Sequence, residues 1–341
     1  MKETLFFPAE WHPQSGVQVT WPHRDTDWKD NLEEVIGCYV AFSKEILKRE
    51  KLLVACRDAG EVSAHFTAGE RVNLLLHELP NNDTWTRDHG GMGLFDGGRP
   101  LLVDFGFNGW GLKFAANHDN QITRYLYERS AYRSEVTYRN RLDFILEGGS
   151  IETDGAGTLL TTSRCLLSPN RNGALNHEQV EERLKLTLGV ERVLWLDHGF
   201  LEGDDTDSHI DTLARFCDEA TIAYVACDDE EDIHYGELKE MERELKALVT
   251  SSGEPYRLLP LPMVDALYHE GRRLPATYAN FLIINGAVLM PFYGSPKDGV
   301  AKRQLQVAFP EREVIGIDCR PLIKQSGSLH CVTMQLPAGF L

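Results

Sequence analysis

The chain has 341 residues, 42% of them hydrophobic and 9% aromatic, which fits a packed globular core and excludes disorder. Its formal charge of −17 argues against a nucleic-acid partner, since no Lys/Arg patch interrupts the acidic balance. The opening MKETLFFPAEWHPQSG lacks a basic segment followed by an apolar stretch, and no run is long and apolar enough to span a bilayer; neither membrane attachment nor export is expected, and the cytoplasm is the expected compartment.

In chain order, VQVTW reads as a strand, Asn31 to Arg49 as a helix and KLLVAC as a second strand. GMGLF and PLLVDF follow, then a helix near Asp119 to Glu128 and a strand ending at Ile145. From Gly157 to Leu196 the pattern is clearest. TLLTT and CLLS read as two short strands, HEQVEERLKLTLG as a helix with apolar residues at i and i+4, and ERVLWL as a strand. The same order returns in LARFCD, ATIAYVAC, a helix over Gly236 to Val249, and PYRLLPL. It returns again in FLIIN, AVLMPF, a helix near Asp298 to Ala308, and EVIGID. The acidic run Asp228 to Asp232 reads as a solvated turn.

The unit is strand, strand, helix, strand, and the first copy lacks its opening strand, which CVTMQL near the far end can supply. Five units closed by pairing of the two chain ends form a ring of small sheets without exposed edges. The plainer alternative is a two-domain α/β protein. No linker-like tract divides the sequence, so one domain is expected.

Just before the first strand of successive units stand Asp88, Glu147, His209 with Asp211, Asn280 and Cys331, and ring closure brings them to one pocket. Each has an ordinary reading of its own. A single Cys is usually a small buried hydrophobe, and His209 with Asp211 at i, i+2 reads equally as a surface pair on one face of a strand. The seven cysteines are an odd number without CxxC spacing, so neither a disulfide framework nor a Cys-rich zinc site is expected. One His with scattered carboxylates (His209, Asp211, Glu147) makes a poor metal set.

A thiol, an imidazole, carboxylates and an amide around one point suit attack on an amidinium carbon. A planar guanidinium cation needs carboxylates that accept paired N–H bonds. The attack needs a soft nucleophile, and a thiolate is available near neutral pH. A His oriented by a carboxylate can protonate departing ammonia and then deprotonate water. A guanidine-binding protein without turnover would need only the carboxylates.

Six blocks complete the reading: PAEWxPxxGxxxTWP (Pro8 to Pro22), NDxWxRDxG (Asn82 to Gly90), LEGGS (Leu146 to Ser150), DTDSHID (Asp205 to Asp211), YANFxIxNGxVxxPxYG (Tyr278 to Gly294) and HCVT (His330 to Thr333). Together they resemble the agmatine deiminases and the related bacterial peptidylarginine deiminases of the pentein superfamily. The blocks span nearly the whole chain. The resemblance implies a five-bladed α/β propeller and a single catalytic domain over residues 1–341. It also implies hydrolysis of agmatine to N-carbamoylputrescine and ammonia through a covalent Cys thiouronium, a step of putrescine and polyamine biosynthesis. The alternative is conversion of peptidyl or C-terminal arginine to citrulline. An amidinotransferase would share the nucleophile but need an acceptor amine.

By the same resemblance Cys331 is the nucleophile and His209 the general acid and base. Glu147 orients the imidazole, while Asp88 and Asp211 grip the guanidinium, and no metal or organic cofactor is implied. Trp85 resembles the family's aromatic wall along the substrate's methylene chain. Asp205 and Asp207 are candidates for the far ammonium, and Asn280 for tying the strand junction together. The implied partner is a small cationic guanidine substrate; a homo-oligomer is left open. GSLHC and RDHGG depart from the family's usual GGGxHC and RDxGP beside the pocket, so substrate preference is less fixed than reaction type.

Overall fold

The computed structural model describes residues 5–341. The fold is mixed α/β, with five sheets of three or four strands and one two-stranded hairpin among the described residues. In each of the five, a first strand pairs antiparallel with a second, a helix follows, and the next strand returns parallel to the second. Met92–Asp96, Arg99–Gly106 and Thr137–Ile145 form one sheet, with Asp119–Glu128 as its crossover helix. Ala214–Asp218, Thr221–Ala226 and Arg257–Pro262 form another around the helix Tyr235–Ala247. Leu282–Ile284, Ala287–Phe292 and Glu313–Asp318 repeat the plan around Asp298–Ala308.

The expected junction of the two chain ends is present. Thr333–Pro337 pairs antiparallel with Gln14–Thr20, which runs parallel to Lys51–Cys56 beyond the helix Leu32–Leu47. That helix results from its spacing: Val35, Tyr39, Phe42 and Ile46 recur along one side and are all fully buried. Each such side chain contributes about 1.5–3 kcal/mol relative to an exposed one.

One unit differs from the pattern expected of it. CLLS is no strand: Ser163–Leu166 is a helical turn, capped where the Thr162 hydroxyl accepts from the Cys165 N–H. TLLTT is therefore the second strand of its sheet (Thr158–Thr162) and the first is Ile151–Thr153, whose three residues carry too little periodicity to register. Two further pairings had no sequence signal. Leu5–Phe6 adds an edge to Met92–Asp96, and Tyr268–His269 pairs with Arg272–Arg273 in a hairpin. No helix among the described residues is long and apolar enough to cross a membrane.

The C-terminal strand is anchored by the last residues of the chain. Phe340 is fully buried, edge-on to Phe95 at 6.1 Å, and its carbonyl accepts from the Arg133 N–H at 2.9 Å. Phe340→Ala is therefore expected to destabilise the fold by about 3–5 kcal/mol, read as a lower midpoint in urea unfolding. A loss well under about 1 kcal/mol would mean that this anchor does not hold the junction of the chain ends.

Candidate active site

The candidate side chains stand where polypeptide enters the first strand of each sheet. Asp88 lies in the helical turn Thr86–His89, Glu147 precedes the 3₁₀ turn Gly148–Ser150, and Asp211 lies in the 3₁₀ turn Ile210–Thr212 directly after His209. His209 and Asp211 are thus neither on a strand face nor on the surface: both are buried, and the turn aims them at the same centre. Asn280 and Cys331 precede the strands Leu282–Ile284 and Thr333–Pro337.

These groups meet around Gly149. A Cβ there would lie 2.6 Å from His209 Nδ1, 2.7 Å from Asp88 Oδ1 and 3.3 Å from Asp211 Oδ2, so only a residue without a side chain fits. The Gly149 N–H donates to Asp88 Oδ1 at 3.1 Å, and the indole N–H of Trp110 donates to Asp88 Oδ2 at 2.9 Å. His209 Nδ1 is 3.5 Å from Asp88 Oδ1, and its Nε2 is 3.6 Å from Glu147 Oε2. Cys331 Sγ is 3.8 Å from Asp211 Oδ2 and receives the Asn280 side-chain N–H at 3.2 Å. Asn280 also binds the backbone N–H groups of His330 and Cys331 through Oδ1, at 2.9 and 3.3 Å, and so holds the thiol in register with Asp211. Asp211 Oδ1 is buried with no hydrogen-bond partner among the described residues, so this carboxylate keeps one unused acceptor.

His209 arrives on a strained loop. Asp207 and Ser208 both adopt φ of +67°, a region that costs non-glycine residues energy and persists only where neighbours over-determine it. The neighbours do so here. Asp204 accepts from the Thr206 hydroxyl at 2.6 Å and the Ser208 N–H at 2.7 Å, while Thr162 donates to the Ser208 carbonyl at 2.7 Å. Arg171 completes the brace, with Nε on Glu147 Oε2 at 2.7 Å, Nη1 on Asp207 Oδ2 at 2.6 Å and Nη2 on the Thr206 carbonyl at 2.8 Å.

Burial and charge set the protonation states. Burial alone would lower the pKa of His209, but Asp88 above all, with help from Cys165 and Glu147, raises it well beyond the usual imidazole value. Burial would raise Glu147, yet His209 and Arg171 bring it below the ordinary carboxylate value. Asp88 goes the other way: burial lifts it to about 6 against the pull of His209. The Cys331 thiol is pushed well above its ordinary value by burial first and then by Asp211 and Asp88. These shifts favour a thiol beside an imidazolium and ionisable carboxylates.

Cys331 and His209 line one cavity of about 260 Å³ with Asp88, Trp85, Trp110 and Phe114. Its mouth carries Asp27, Asp83, Asp204 and Asp205 against two cations, Arg272 and Lys324. Lys324 is paired with Glu34 at 2.5 Å, which leaves Arg272 as the cation without an ion pair there among the described residues. Burial lifts the Asp83 and Asp205 carboxyls to about 6, Asp205 also through Asp204. Trp85 belongs to the cavity and the core at once, 7% exposed and tilted against Trp28 at 5.5 Å. Gly327 lies flat on its ring, where a Cβ would overlap the indole. Asp207 is not among the lining groups; Lys113 at 2.7 Å and Arg171 occupy its carboxylate.

Trp110, Arg171, Glu10, Arg215, Glu152 and His330 carry no role in the sequence reading, although all are buried in or behind this site. One signal was available: Arg215 interrupts the apolar strand LARFCD, and a charge on a buried strand demands partners. Two sets of ligand atoms lie close enough to hold a metal, Glu147–Cys165–His209 and Glu10–Glu152–His330. In both, an arginine already pairs with the carboxylates, Arg171 in one and Arg215 in the other, and a cation would have to displace a buried guanidinium. The donor sets do not fit a resident metal.

Comparison with known proteins agrees with this chemistry. The profile of the Porphyromonas-type peptidyl-arginine deiminase family matches residues 6–337. An agmatine deiminase of Pseudomonas aeruginosa (strain LESB58) is 33% identical over 358 residues, covering 97% of this chain and 95% of the relative. Among solved structures, a Porphyromonas gingivalis protein provisionally named an arginine deiminase superposes with a TM-score of 0.96 at 57% identity, covering 99% of each chain. Substrate-bound C. jejuni agmatine deiminase superposes with a TM-score of 0.91 at 40% identity, covering 99% of this chain and 97% of the other. A dimethylarginine dimethylaminohydrolase at 13% identity, with a TM-score of 0.51 over 95% of this chain, shows a shared fold alone.

Because Gly149 touches three of the assembled groups, Gly149→Ala is expected to lower kcat/KM on guanidinium substrates by about 100-fold and, since the added Cβ must displace buried His209 and Asp88, to destabilise the fold by about 1–3 kcal/mol. Near-unchanged steady-state kinetics in a folded variant would show that the convergence at Gly149 is not the reacting centre.

Proposed function

This chain belongs to the Porphyromonas-type peptidyl-arginine deiminase family, and from that premise we propose that it hydrolyses agmatine to N-carbamoylputrescine and ammonia through a covalent adduct on Cys331. The observation that carries the proposal is the placement of the thiol between ionisable carboxylates in a cavity with an acidic mouth. Asp88 and Asp211 receive the guanidinium N–H groups, Asp211 through its open Oδ1.

Burial and the charges of Asp211 and Asp88 keep Cys331 protonated, and the arriving cation offsets the second cause, because it compensates those two carboxylates. The thiol then releases its proton to solvent and Sγ bonds to the guanidinium carbon. The carbon–nitrogen bond breaks as the His209 imidazolium protonates the departing ammonia. Neutral His209 next takes a proton from water, the water oxygen adds to the same carbon, and the carbon–sulfur bond breaks as the remaining hydroxyl proton passes to sulfur, giving the ureido product and the thiol. Glu147 and Arg171 hold the imidazole through the exchange.

Asp205 and the other mouth carboxylates suit a cationic tail, and Trp85 with Trp110 suits a methylene chain. The acidic mouth is the reason to place agmatine, and putrescine biosynthesis, ahead of arginine. A second reading has its own support. Arg272 at the mouth, and the provisional naming of the 57% identical relative, favour a substrate with a carboxylate, free or peptidyl arginine. We further read the five sheets as blades of one α/β propeller and one catalytic domain, supported by the pairing of the two chain ends. Seven cysteines without a disulfide suit a reducing cytoplasm.

Ureido product is to be measured with agmatine, free arginine and an arginine-terminated peptide. Agmatine is expected to give the highest kcat/KM; turnover of the peptide with none of agmatine overturns that choice. Cys331→Ala is expected to lose activity on all three by a factor of at least about 10³, and retained ammonia release would remove the covalent route. The acid limb of kcat/KM is expected near pH 6. Asp88 has a raised pKa of about 6 and must be ionised to bind the cation, so activity is present above that pH and lost as pH falls through it.

A further inference from the structure

Cys331 lines the reactive cavity, but its neighbour His330 lines a second one, of about 30 Å³, with Glu10, Arg87 and Glu152. The proposed reaction makes no use of His330. Its ring is 1% exposed and both nitrogens face carboxylates: Nδ1 is 2.8 Å from Asp211 Oδ2, and Nε2 is 2.7 Å from Glu10 Oε2. Burial, Arg215 and Arg87 lower the pKa of His330 while Glu10 and Asp211 raise it; a neutral imidazole has one N–H, which would serve one carboxylate and set a lone pair against the other, whereas a proton on each line serves both. Glu10 is fixed in turn by Arg215 at 2.8 Å and by the Ile283 N–H at 2.6 Å, with Arg87 Nη2 at 3.7 Å. Arg215 also pairs with Glu152.

We propose that His330 is a positioning residue for substrate binding: shared between Glu10 and Asp211, it holds Asp211 ionised with Oδ1 directed at the guanidinium. The inference rests on the deiminase reading of the site. Asp211 Oδ2 is occupied by His330 and by the Asn280 side-chain N–H at 3.2 Å, so the carboxylate cannot rotate without losing both bonds, and Oδ1 remains the open acceptor. The two gripping carboxylates form an internal control. Both are buried, yet Asp88 rises to about 6, while Asp211 falls below the ordinary value. Burial would raise Asp211 as well; His330 is the first group to oppose it, ahead of His209 and Arg215, whereas Asp88, drawn down by His209 at 3.5 Å, is raised further by Asp211 and Glu147. Cys331 and Asp88 are the remaining ionisable groups toward the reactive cavity, and Arg87 and Glu152 those toward the second.

The test is the pH dependence of kcat/KM in the intact protein, wild type against His330→Gln and Glu10→Gln. In the wild type the acid limb falls with the loss of one ionised group, Asp88. In H330Q, Asp211 is released to titrate in the same range, so the limb steepens to a two-proton fall and moves up by about one pH unit. KM at neutral pH rises by at least about tenfold, more than kcat falls. E10Q keeps the imidazole but removes the charge behind it, and shifts the limb the same way by less. A purely structural role predicts a uniform loss with an unchanged limb, and that result in a folded H330Q overturns the proposal. Should H330Q fail to fold by circular dichroism, E10Q decides on the same readout. If the wild type turns over arginine or the peptide and not agmatine, the substrate choice fails, and the profiles are recorded on the substrate accepted.

Discussion

The site depends on compensation among charges that have left water. Glu10, Glu147, Glu152, Asp88 and Asp211 are all buried, and so are Arg87, Arg171, Arg215, His209 and His330. An isolated ion in such surroundings loses several kcal/mol of hydration, so each must meet a counter-charge or give up its own. The contacts are arranged accordingly: Arg171 on Glu147, Arg215 on Glu10 and Glu152, and His330 between Glu10 and Asp211. Removing one partner of such a set costs about 3–5 kcal/mol, because the remaining charge stays buried without compensation. Asp88 and Cys331 on the reactive side, like Glu152, Arg87 and His330 behind them, are displaced toward their neutral forms. A site poised in this way is incomplete in charge until a cation enters it.

The repeat explains why distant stretches share this one network. Each unit presents the residue before its first strand, and those positions are where backbone leaves one sheet for the next. Side chains there are not committed to cross-strand packing, so the chain can place a carboxylate, an imidazole, an amide or a thiol at equivalent points without weakening a core. The strain at Asp207 and Ser208 belongs to the same scheme. The loop that delivers His209 takes an unfavourable backbone path, and Arg171 holds it by binding Glu147 and the loop together.

Much of this was legible in the amino-acid order because hydrophobic period and position within a repeat are local properties. The helices over Asp119–Glu128 and Asp298–Ala308 have the bounds their spacing predicts, and the pairing of Thr333–Pro337 with Gln14–Thr20 is what a unit lacking a strand demands. The three-residue strand Ile151–Thr153 was not legible, since its length is below any usable period, and CLLS imitates a strand by composition while Thr162 caps it into a turn. The convergence of Asp88, His209, Asp211 and Cys331 could be read from their equivalent places in the repeat. The layer behind them could not. Glu10 and His330 lie 320 residues apart in the chain and meet at 2.7 Å, and neither PAEW nor HCVT reveals by itself that the two side chains face each other. Asp207 shows the reverse case: its place in DTDSHID suggested substrate contact, but Arg171 and Lys113, both distant in sequence, occupy it.

On the proposed reading, the same charge arithmetic yields selectivity. The nucleophile is poor by itself because burial and two carboxylates hold the proton on sulfur. A neutral molecule that fits the cavity leaves that field intact, whereas a planar cation between Asp88 and Asp211 cancels it at the moment its carbon comes within reach of Sγ. Binding and activation are then a single event, which makes the ionisation of Asp211 as important as its position. Asp88 can be lifted to about 6 and still serve above that pH, with Trp110 and the Gly149 N–H to aim it. Asp211 lies nearer the sulfur, and a proton on it would leave the thiol without the acceptor that draws the guanidinium carbon into line. The group that prevents this is the residue preceding the nucleophile in the chain, so one backbone turn fixes the thiol and the charge state of the carboxylate beside it.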